Sequence, residues 1–145
     1  MCYKIITLTK EWVPSLAKLE RSCFSEPWTE SLFAGEFTHE NVLYRGIVKH
    51  GELVSYMGMW LVADEGQITN VAVCPQHRRK GLAMWLIRDM AELGVQKGLQ
   101  LLTLEVRAHN HAAISLYQKL GFEIVGRRPN YYAGKEDALL MNLQL

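Results

Sequence analysis

The stretch ITNVAVCPQHRRKGLA, residues 68–83, decides the fold of this 145-residue chain. A β-rich run ends at Val73, a loop carries three consecutive cations at residues 78–80, and Gly81 opens a segment with the period of an amphipathic helix. Cations at a helix N-terminus oppose the positive end of the helix dipole, at a cost of up to about 1 kcal/mol each unless an anion binds there. Free N–H groups, a glycine that permits close approach and flanking basic side chains make a cradle for phosphate. The stretch therefore predicts an anion site between a strand and a helix, with a solvated basic turn as the alternative.

The segments on either side alternate between strand and helix patterns. Apolar residues recur at helical spacing in four segments, which are residues 12–23, a short segment after the N-cap residue Thr29, residues 81–98 and residues 110–120. β-Rich runs lie at residues 3–8, 42–48, 53–61, 67–73, 101–106, 122–127 and 138–143. Residues 128–132 are interpreted as a loop between the last two strands. The third helix has an apolar face made of Leu82, Trp85, Leu86, Met90 and Leu93.

This order of elements, β-α-α-β-β-β-α-β-α-β-β, predicts the fold class. It indicates an α/β domain with a mixed central sheet of about seven strands, four helices and one parallel crossover. No repeat or linker divides the sequence, so residues 1–145 are interpreted as a single domain.

The composition limits the partners of this domain. Lys and Arg number 16 against 15 for Asp and Glu, so the chain is not a polycation of the kind that neutralises nucleic acid, and no nucleic-acid partner is expected. Because no segment approaches the roughly 20 apolar residues of a membrane span and no signal peptide precedes the domain, no membrane partner is expected. Cys2, Cys23 and Cys74 show neither a C-x-x-C pair nor zinc-ligand spacing, which favours a reduced, cytoplasmic setting without a metal.

A second informative stretch, LTLEVRAHNHAAISLY at residues 102–117, places a carboxylate inside an apolar strand. A carboxylate there needs a functional or an ion-pairing reason, so Glu105 is either a functional residue or the partner of Arg107 on the same strand face. In the following helix Asn110, Ile114 and Tyr117 share one face at i, i+4 and i+7. Tyr117 is either a half-buried core residue or a functional group.

Three groups of residues resemble the GNAT superfamily of acetyl-CoA-dependent N-acetyltransferases. The string RRKGLA at residues 78–83 is similar to its pyrophosphate-binding motif Q/R-x-x-G-x-G/A. The string L-E-V-R-x-x-N-x-x-A-x-x-L-Y-x-x-L-G-F at residues 104–122 resembles the RimI-type branch, the ribosomal-protein-alanine N-acetyltransferases. Further similarity lies in Phe24 with Pro27-Trp28, in Asn130-Tyr131-Tyr132 and in Glu136-Asp137-Ala138. The resemblance implies the GNAT fold over nearly the whole chain.

The resemblance also implies roles for individual residues. Glu105 would act as general base and Tyr117 as general acid. The residues implied in binding the acceptor are Trp28, Arg107, Tyr131 and Tyr132. The residues implied in binding acetyl-CoA are Val71, Ala72, Val73, Arg78, Arg79, Lys80, Gly81, Leu82, Ala83, Met84, Asn110 and Tyr117.

The implied activity is transfer of acetyl from acetyl-CoA to the N-terminal α-amine of a protein, by direct attack in a ternary complex. For this branch the implied acceptor is the N-terminal alanine of a small ribosomal-subunit protein. Two alternatives stay open, which are a different acceptor amine (a small molecule, a polyamine or lysine) and a module that binds acetyl-CoA without catalysis. A monomer or a weak dimer is expected.

Overall fold

The computed structural model describes residues 2–145 and confirms the predicted order of elements. None of its helices is long and apolar enough to cross a membrane. The helices are α1 Val13–Cys23, α2 Glu30–Glu36, α3 Leu82–Gln96 and α4 His111–Lys119. The strands are β1 Tyr3–Thr7, β2 Val42–Lys49, β3 Glu52–Val62, β4 Glu65–Val73, β5 Leu101–Arg107, β6 Glu123–Tyr132 and β7 Glu136–Gln144.

The strands form one mixed sheet in the order β1-β2-β3-β4-β5-β7-β6. Neighbouring strands run antiparallel except β4 and β5, which α3 connects as the predicted parallel crossover. β2, β3 and β4 make the antiparallel meander that the sequence predicts. The β2–β3 turn needs left-handed backbone at His50 and Gly51, where φ is 51° and 81°.

The helices cover the two faces of this sheet with separate apolar cores. α1 and α2 pack on one face around Leu16, Phe33 and Tyr56. α3 and α4 pack on the other face around Leu86 and Ile114. Strand residues therefore alternate between two buried environments, and a polar residue in the central strands lies under one helix pair or the other.

The predicted apolar face of α3 is wrong at one position. Leu82, Leu86 and Met90 are buried as predicted, but Trp85 is 39% exposed and Ile87 is buried in its place. At 100° per residue the buried face extends from Leu82 through Met90 to Ile87, and Trp85 lies outside it. Trp85 therefore adds little to the core.

The loop predicted at residues 128–132 is also wrong, because β6 continues to Tyr132. The chain turns later, at Ala133 and Gly134, where φ is 53° and 68°. Pro129 is typical of a strand break, since it has no N–H to donate to a neighbouring strand. β6 is an edge strand, however, and a proline is tolerated at such a position when the ladder is interrupted.

The interruption is a bulge in which residues 129–131 of β6 face Asp137 of β7. The Asp137 carboxylate accepts from the Arg127 Nε–H at 2.6 Å and from the Asn130 N–H at 2.9 Å. These bonds hold the extra residues in place, and the bulge changes which side chains of the β6–β7 hairpin face the centre of the sheet.

β4 and β5 separate soon after they pair. Their parallel register covers only Glu65–Gln67 against Leu101–Thr103. β4 then bulges, because Ile68 pairs with Met59 of β3 whereas Asn70 pairs with the preceding residue of β3, which leaves Thr69 as an extra residue. The middle of the sheet is therefore open beyond this point.

Candidate functional site

The gap between β4 and β5 leads into two adjoining cavities. The helix-side cavity, of about 180 Å³, extends to Asn110 and Tyr117. The hairpin-side cavity, of about 530 Å³, extends to Arg128 and Tyr131. The residues that line both cavities are Ile68, Thr69, Leu104, Glu105 and Tyr132. The two cavities therefore share one wall, and Glu105 lies in it.

Glu105 is the acidic residue in that shared wall. Its neighbours Leu104 and Val106 are buried in the core of α3 and α4, so strand alternation directs the Glu105 side chain to the opposite face. Glu105 Oε1 lies 3.5 Å from Arg128 Nη2, whereas Oε2 is buried and has no hydrogen-bond partner within residues 2–145. A carboxylate oxygen with free lone pairs at a cavity wall is suited to accept a proton from a ligand.

The alternative explanation for Glu105, an ion pair with Arg107, is wrong. Arg107 Nη1 lies 3.1 Å from Glu136 Oε1, and the Arg107 guanidinium lies over the Tyr132 ring at 4.2 Å from its centroid. Arg107 therefore ties the end of β5 to the β6–β7 hairpin. The cation beside Glu105 is Arg128, which lies across β7 from the end of β5 because Ala138 pairs with both Arg107 and Arg128.

Tyr117 projects from α4 into the helix-side cavity. Its ring packs against Phe122 at 5.6 Å between centroids. Burial, with a smaller contribution from Tyr132, raises the pKa of Tyr117 to about 12. The hydroxyl therefore holds its proton at neutral pH and faces the same cavity as Glu105.

Strand alternation directs the backbone of Val71 and Val73 into the gap. The Cys74 N–H donates to a β3 carbonyl at 2.8 Å and the Ala72 carbonyl accepts from a serine hydroxyl of β3 at 2.8 Å, so these two residues face β3. The Val73 carbonyl accepts from Arg78 Nε at 3.1 Å. Of the three strand residues implied in cofactor binding, Val71 and Val73 therefore offer N–H groups to the gap, and Ala72 does not.

The loop after β4 presents backbone donors and cations together. Arg79 and Gly81 have left-handed backbone, with φ of 63° and 76°, on either side of Lys80. The first bond of α3 runs from the Trp85 N–H to the Gly81 carbonyl at 3.0 Å. Four N–H groups therefore lack a partner inside the helix, those of Gly81, Leu82, Ala83 and Met84. The exposed cations at residues 78–80 surround them, which is the arrangement expected of an anion site.

Asn110 and Tyr131 lie at opposite ends of the paired cavities. Asn110 is the N-cap of α4, because its Oδ1 accepts from the Ala113 N–H at 3.2 Å, and it also lines the helix-side cavity. Tyr131 is exposed, with the Arg128 guanidinium 5.4 Å from its ring centroid. Asn110 therefore has a structural role whether or not it contacts a ligand.

Trp28 lines a third cavity, of about 560 Å³, that flanks the other two. Its ring packs on Phe33, and its backbone N–H donates to Glu20 Oε1 at 3.1 Å. Asn70 and Arg107 line this cavity as well. The loop between α1 and α2 and the end of β5 thus share one surface, as the predicted acceptor-binding residues require.

Two residues of the site, Asn70 and Arg128, were not predicted from the sequence. Asn70 lies inside an otherwise β-rich run, so the criterion that singles out Glu105, a polar residue in an apolar strand, also applies to it. Arg128 carries no comparable signal, since its place beside Glu105 depends on the pairing of β7 with β5 and β6, in which Ala138 lies opposite both Arg107 and Arg128.

Comparison with known proteins gives consistent matches over this chain. A model described as the acetyltransferase (GNAT) family matches residues 13–122. A Bacillus subtilis (strain 168) protein, provisionally named a ribosomal protein bS18-alanine N-acetyltransferase, is 41% identical over 133 residues, 90% of this chain and 88% of that protein. The Escherichia coli (strain K12) ribosomal protein bS18-alanine N-acetyltransferase is 35% identical over 136 residues, 92% of this chain and 91% of that protein. The crystal structure of the ribosomal-protein-S18-alanine N-acetyltransferase from Escherichia coli matches with a TM-score of 0.92 at 34% identity, over 98% of this chain and 93% of that chain.

Proposed function

This chain belongs to the GNAT family of acetyltransferases, and from that premise we propose that it acetylates the N-terminal α-amine of a protein. The observation that carries the proposal is Glu105 Oε2, a buried oxygen without a partner in the described chain, in the wall between the two cavities. A base at this position can take a proton from an amine that lies in the gap between β4 and β5.

The start of α3 suits the pyrophosphate of acetyl-CoA. The N–H groups of residues 81–84 and the side chains of Arg79 and Lys80 supply donors and positive charge for it. Arg78 ties this loop to the Val73 carbonyl, so the anion site continues into the gap between β4 and β5. Bound acetyl-CoA supplies an activated acetyl group at the far end of that gap.

Glu105 and Tyr117 divide the proton transfers. An α-amino group has a pKa near 8, so a modest base suffices at pH 7, and Glu105 Oε2 takes the proton that frees the nitrogen lone pair for attack. The N–H groups of Val71 and Val73 stabilise negative charge on the thioester oxygen. The raised pKa of Tyr117 keeps its hydroxyl protonated until the thiolate departs and takes that proton. The second proton of the nitrogen, lost as the amide forms, then returns to the Tyr117 oxygen.

Direct attack on the thioester fits the position of the cysteine nearest the anion site. The Cys74 thiol donates to Gln76 Oε1 at 2.8 Å, and Cys74 lies past the end of β4 rather than in the wall of the helix-side cavity. The acetyl group therefore passes directly to the acceptor, without a covalent intermediate on the Cys74 sulfur.

The acceptor that we propose is the N-terminal alanine of a small ribosomal-subunit protein, which places the reaction in the cytoplasm. The names of the Bacillus and Escherichia relatives state that activity for those proteins. Trp28 lines one open cavity and Tyr131 and Tyr132 line another, and these aromatic side chains offer contacts to an extended peptide. A lysine acceptor, with a pKa near 10.4, would demand a stronger base.

Mass spectrometry after incubation with acetyl-CoA tests this proposal. The panel contains peptides that begin with alanine, serine, methionine or acidic residues, the same peptides with a blocked N-terminus and an internal lysine, and spermidine. We expect one acetyl group on the α-amine of alanine peptides. Acetylation of lysine or spermidine alone contradicts the proposed acceptor, and acetyl-CoA binding without acetylation of any amine contradicts catalysis.

A further inference from the structure

Two buried side-chain oxygens in residues 2–145 have no hydrogen-bond partner, Asn70 Oδ1 and Glu105 Oε2. Both residues line the helix-side cavity. A buried acceptor without a donor lowers the stability of the fold, so two of them in one cavity wall indicate that a ligand supplies the donors. The proton transfers proposed for acetylation use Glu105 and leave Asn70 without a role.

The two residues come from the strands that separate, and they face the same side of the sheet. The bulge at Thr69 lets Ile68 pack in the core of α3 while Asn70 turns to the α1 face, where Ala72 is buried. Glu105 also faces away from α3 and α4, because Leu104 points into their core. The gap between β4 and β5 thus has a hydrogen-bond acceptor on each side, Asn70 Oδ1 on β4 and Glu105 Oε2 on β5.

A buried polar network holds Asn70. Its side chain lies next to the Tyr56 hydroxyl, which donates to Glu20 Oε2 at 2.6 Å, and Glu20 Oε1 accepts from the Trp28 N–H at 3.1 Å. Glu20 and Tyr56 are 2% and 0% exposed. Asn70 lies at the edge of this network, and its Oδ1 is buried at the cavity without a hydrogen-bond partner in the described residues.

We propose that Asn70 Oδ1 and Glu105 Oε2 bind the acceptor's α-ammonium together, each accepting one of its three N–H donors. This inference rests on the proposed function. The proton bound to Glu105 Oε2 is the one that this residue removes. The ammonium N–H that donates to Asn70 Oδ1 stays on the nitrogen, and this hydrogen bond sets the direction of the nitrogen lone pair. Asn70 is therefore a substrate-binding and orienting residue rather than a base.

Peptide binding in the presence of coenzyme A, which carries no acetyl group, tests the proposal. The two ligands are an alanine-starting peptide that the protein acetylates and its desamino counterpart, in which propionyl replaces alanyl. For Asn70→Leu we expect about a 10-fold or greater loss of affinity for the amine peptide, and an unchanged affinity for the desamino peptide. Asn70→Asp, which keeps an oxygen at the same position, is expected to retain preference for the amine.

Asn142→Leu is the matched control, since Asn142 lies in β7 and lines none of the three cavities. We expect it to bind both peptides as the wild type does. If Asn70→Leu loses affinity for both peptides equally, or for neither, the inference is overturned while the proposed function stands. A wild-type protein that acetylates no peptide overturns the proposed function and this inference with it. A KM for acetyl-CoA unchanged by Asn70→Leu excludes a collapsed site as the cause.

Discussion

Among single residues, Glu105 shows what sequence can and cannot predict about the site. A carboxylate in an apolar strand is conspicuous, so its functional role can be predicted, and the structure places it at the junction of two cavities. Its partner could not be predicted, because Arg128 reaches it across β7 through a strand register that side-chain spacing does not reveal. Asn70 obeys the same rule as Glu105, but a neutral amide is less conspicuous than a charge.

Replacing Glu105 by glutamine removes the base and keeps the size of the side chain. We expect kcat to fall by about 100- to 10,000-fold, the usual contribution of a general base. The KM for acetyl-CoA should stay within about twofold, because the anion site at α3 is untouched. Thiol release from acetyl-CoA measures both constants, and wild-type turnover in Glu105→Gln would refute the assignment.

Replacing Tyr117 by phenylalanine removes the proton donor from the same cavity. We expect a lower kcat, with acetyl-CoA and peptide KM little changed. Because the pKa of Tyr117 is raised to about 12, wild-type Tyr117 stays protonated through pH 10, and its ionisation causes no loss of activity there. The measurement is kcat between pH 6 and 10. A fall in wild-type kcat above pH 8 that disappears in Tyr117→Phe would contradict the raised pKa, and a wild-type kcat in Tyr117→Phe would refute the role of proton donor.

Among the elements, α3 and the loop before it were predicted most completely. Three cations at a helix start are unfavourable without an anion, so charge and periodicity point to one site. The same reasoning fails for β6, where a proline and polar residues indicate a loop although the chain is a bulged edge strand. Local composition does not record whether a partner strand and a carboxylate such as Asp137 will hold a bulge.

Two glycines at opposite ends of α3 separate backbone strain from ligand binding. Gly81 and Gly98 both have positive φ, 76° and 82°, and a Cβ added at either position would meet no atom within 4 Å. Gly81→Ala and Gly98→Ala should therefore destabilise the fold by a similar amount, about 1 kcal/mol each. Only Gly81→Ala should raise the KM for acetyl-CoA. Thiol release measures the KM for acetyl-CoA, and equal values in the two variants would show that Gly81 is not part of the anion site.

At the scale of the whole molecule, alternation and periodicity predict the two-faced sheet because each strand and helix buries its own apolar residues. The element order and the crossover are confirmed by the structure. The two linked cavities could not be predicted, since they arise where β4 and β5 fail to pair. Whether two strands pair depends on both of them, and the place where pairing stops has no pattern in the sequence of either strand.

Three buried tyrosines make stability depend on alkaline pH. Burial raises the pKa of Tyr44 and Tyr56 above the ordinary value near 10, and that of Tyr117 to about 12. Above pH 10 the unfolded chain loses protons that the folded chain keeps, so the free energy of unfolding falls, by up to about 1.4 kcal/mol per pH unit for each tyrosine. Below pH 9 these residues are neutral in both states and add no slope. Urea unfolding between pH 8 and 11 measures the effect, and a flat profile would contradict it.

β4 and β5 pair at only three residue positions. Beyond these positions the facing backbone groups of the two strands do not pair with each other, as along the edge of a sheet. Amide protons in central strands ordinarily exchange with solvent most slowly, because their release requires unfolding. We expect the amides of Val71 and Val73 to exchange as fast as those of an outer strand in the free protein, and to become protected when acetyl-CoA fills the gap. Hydrogen exchange would then report ligand binding at the middle of the sheet.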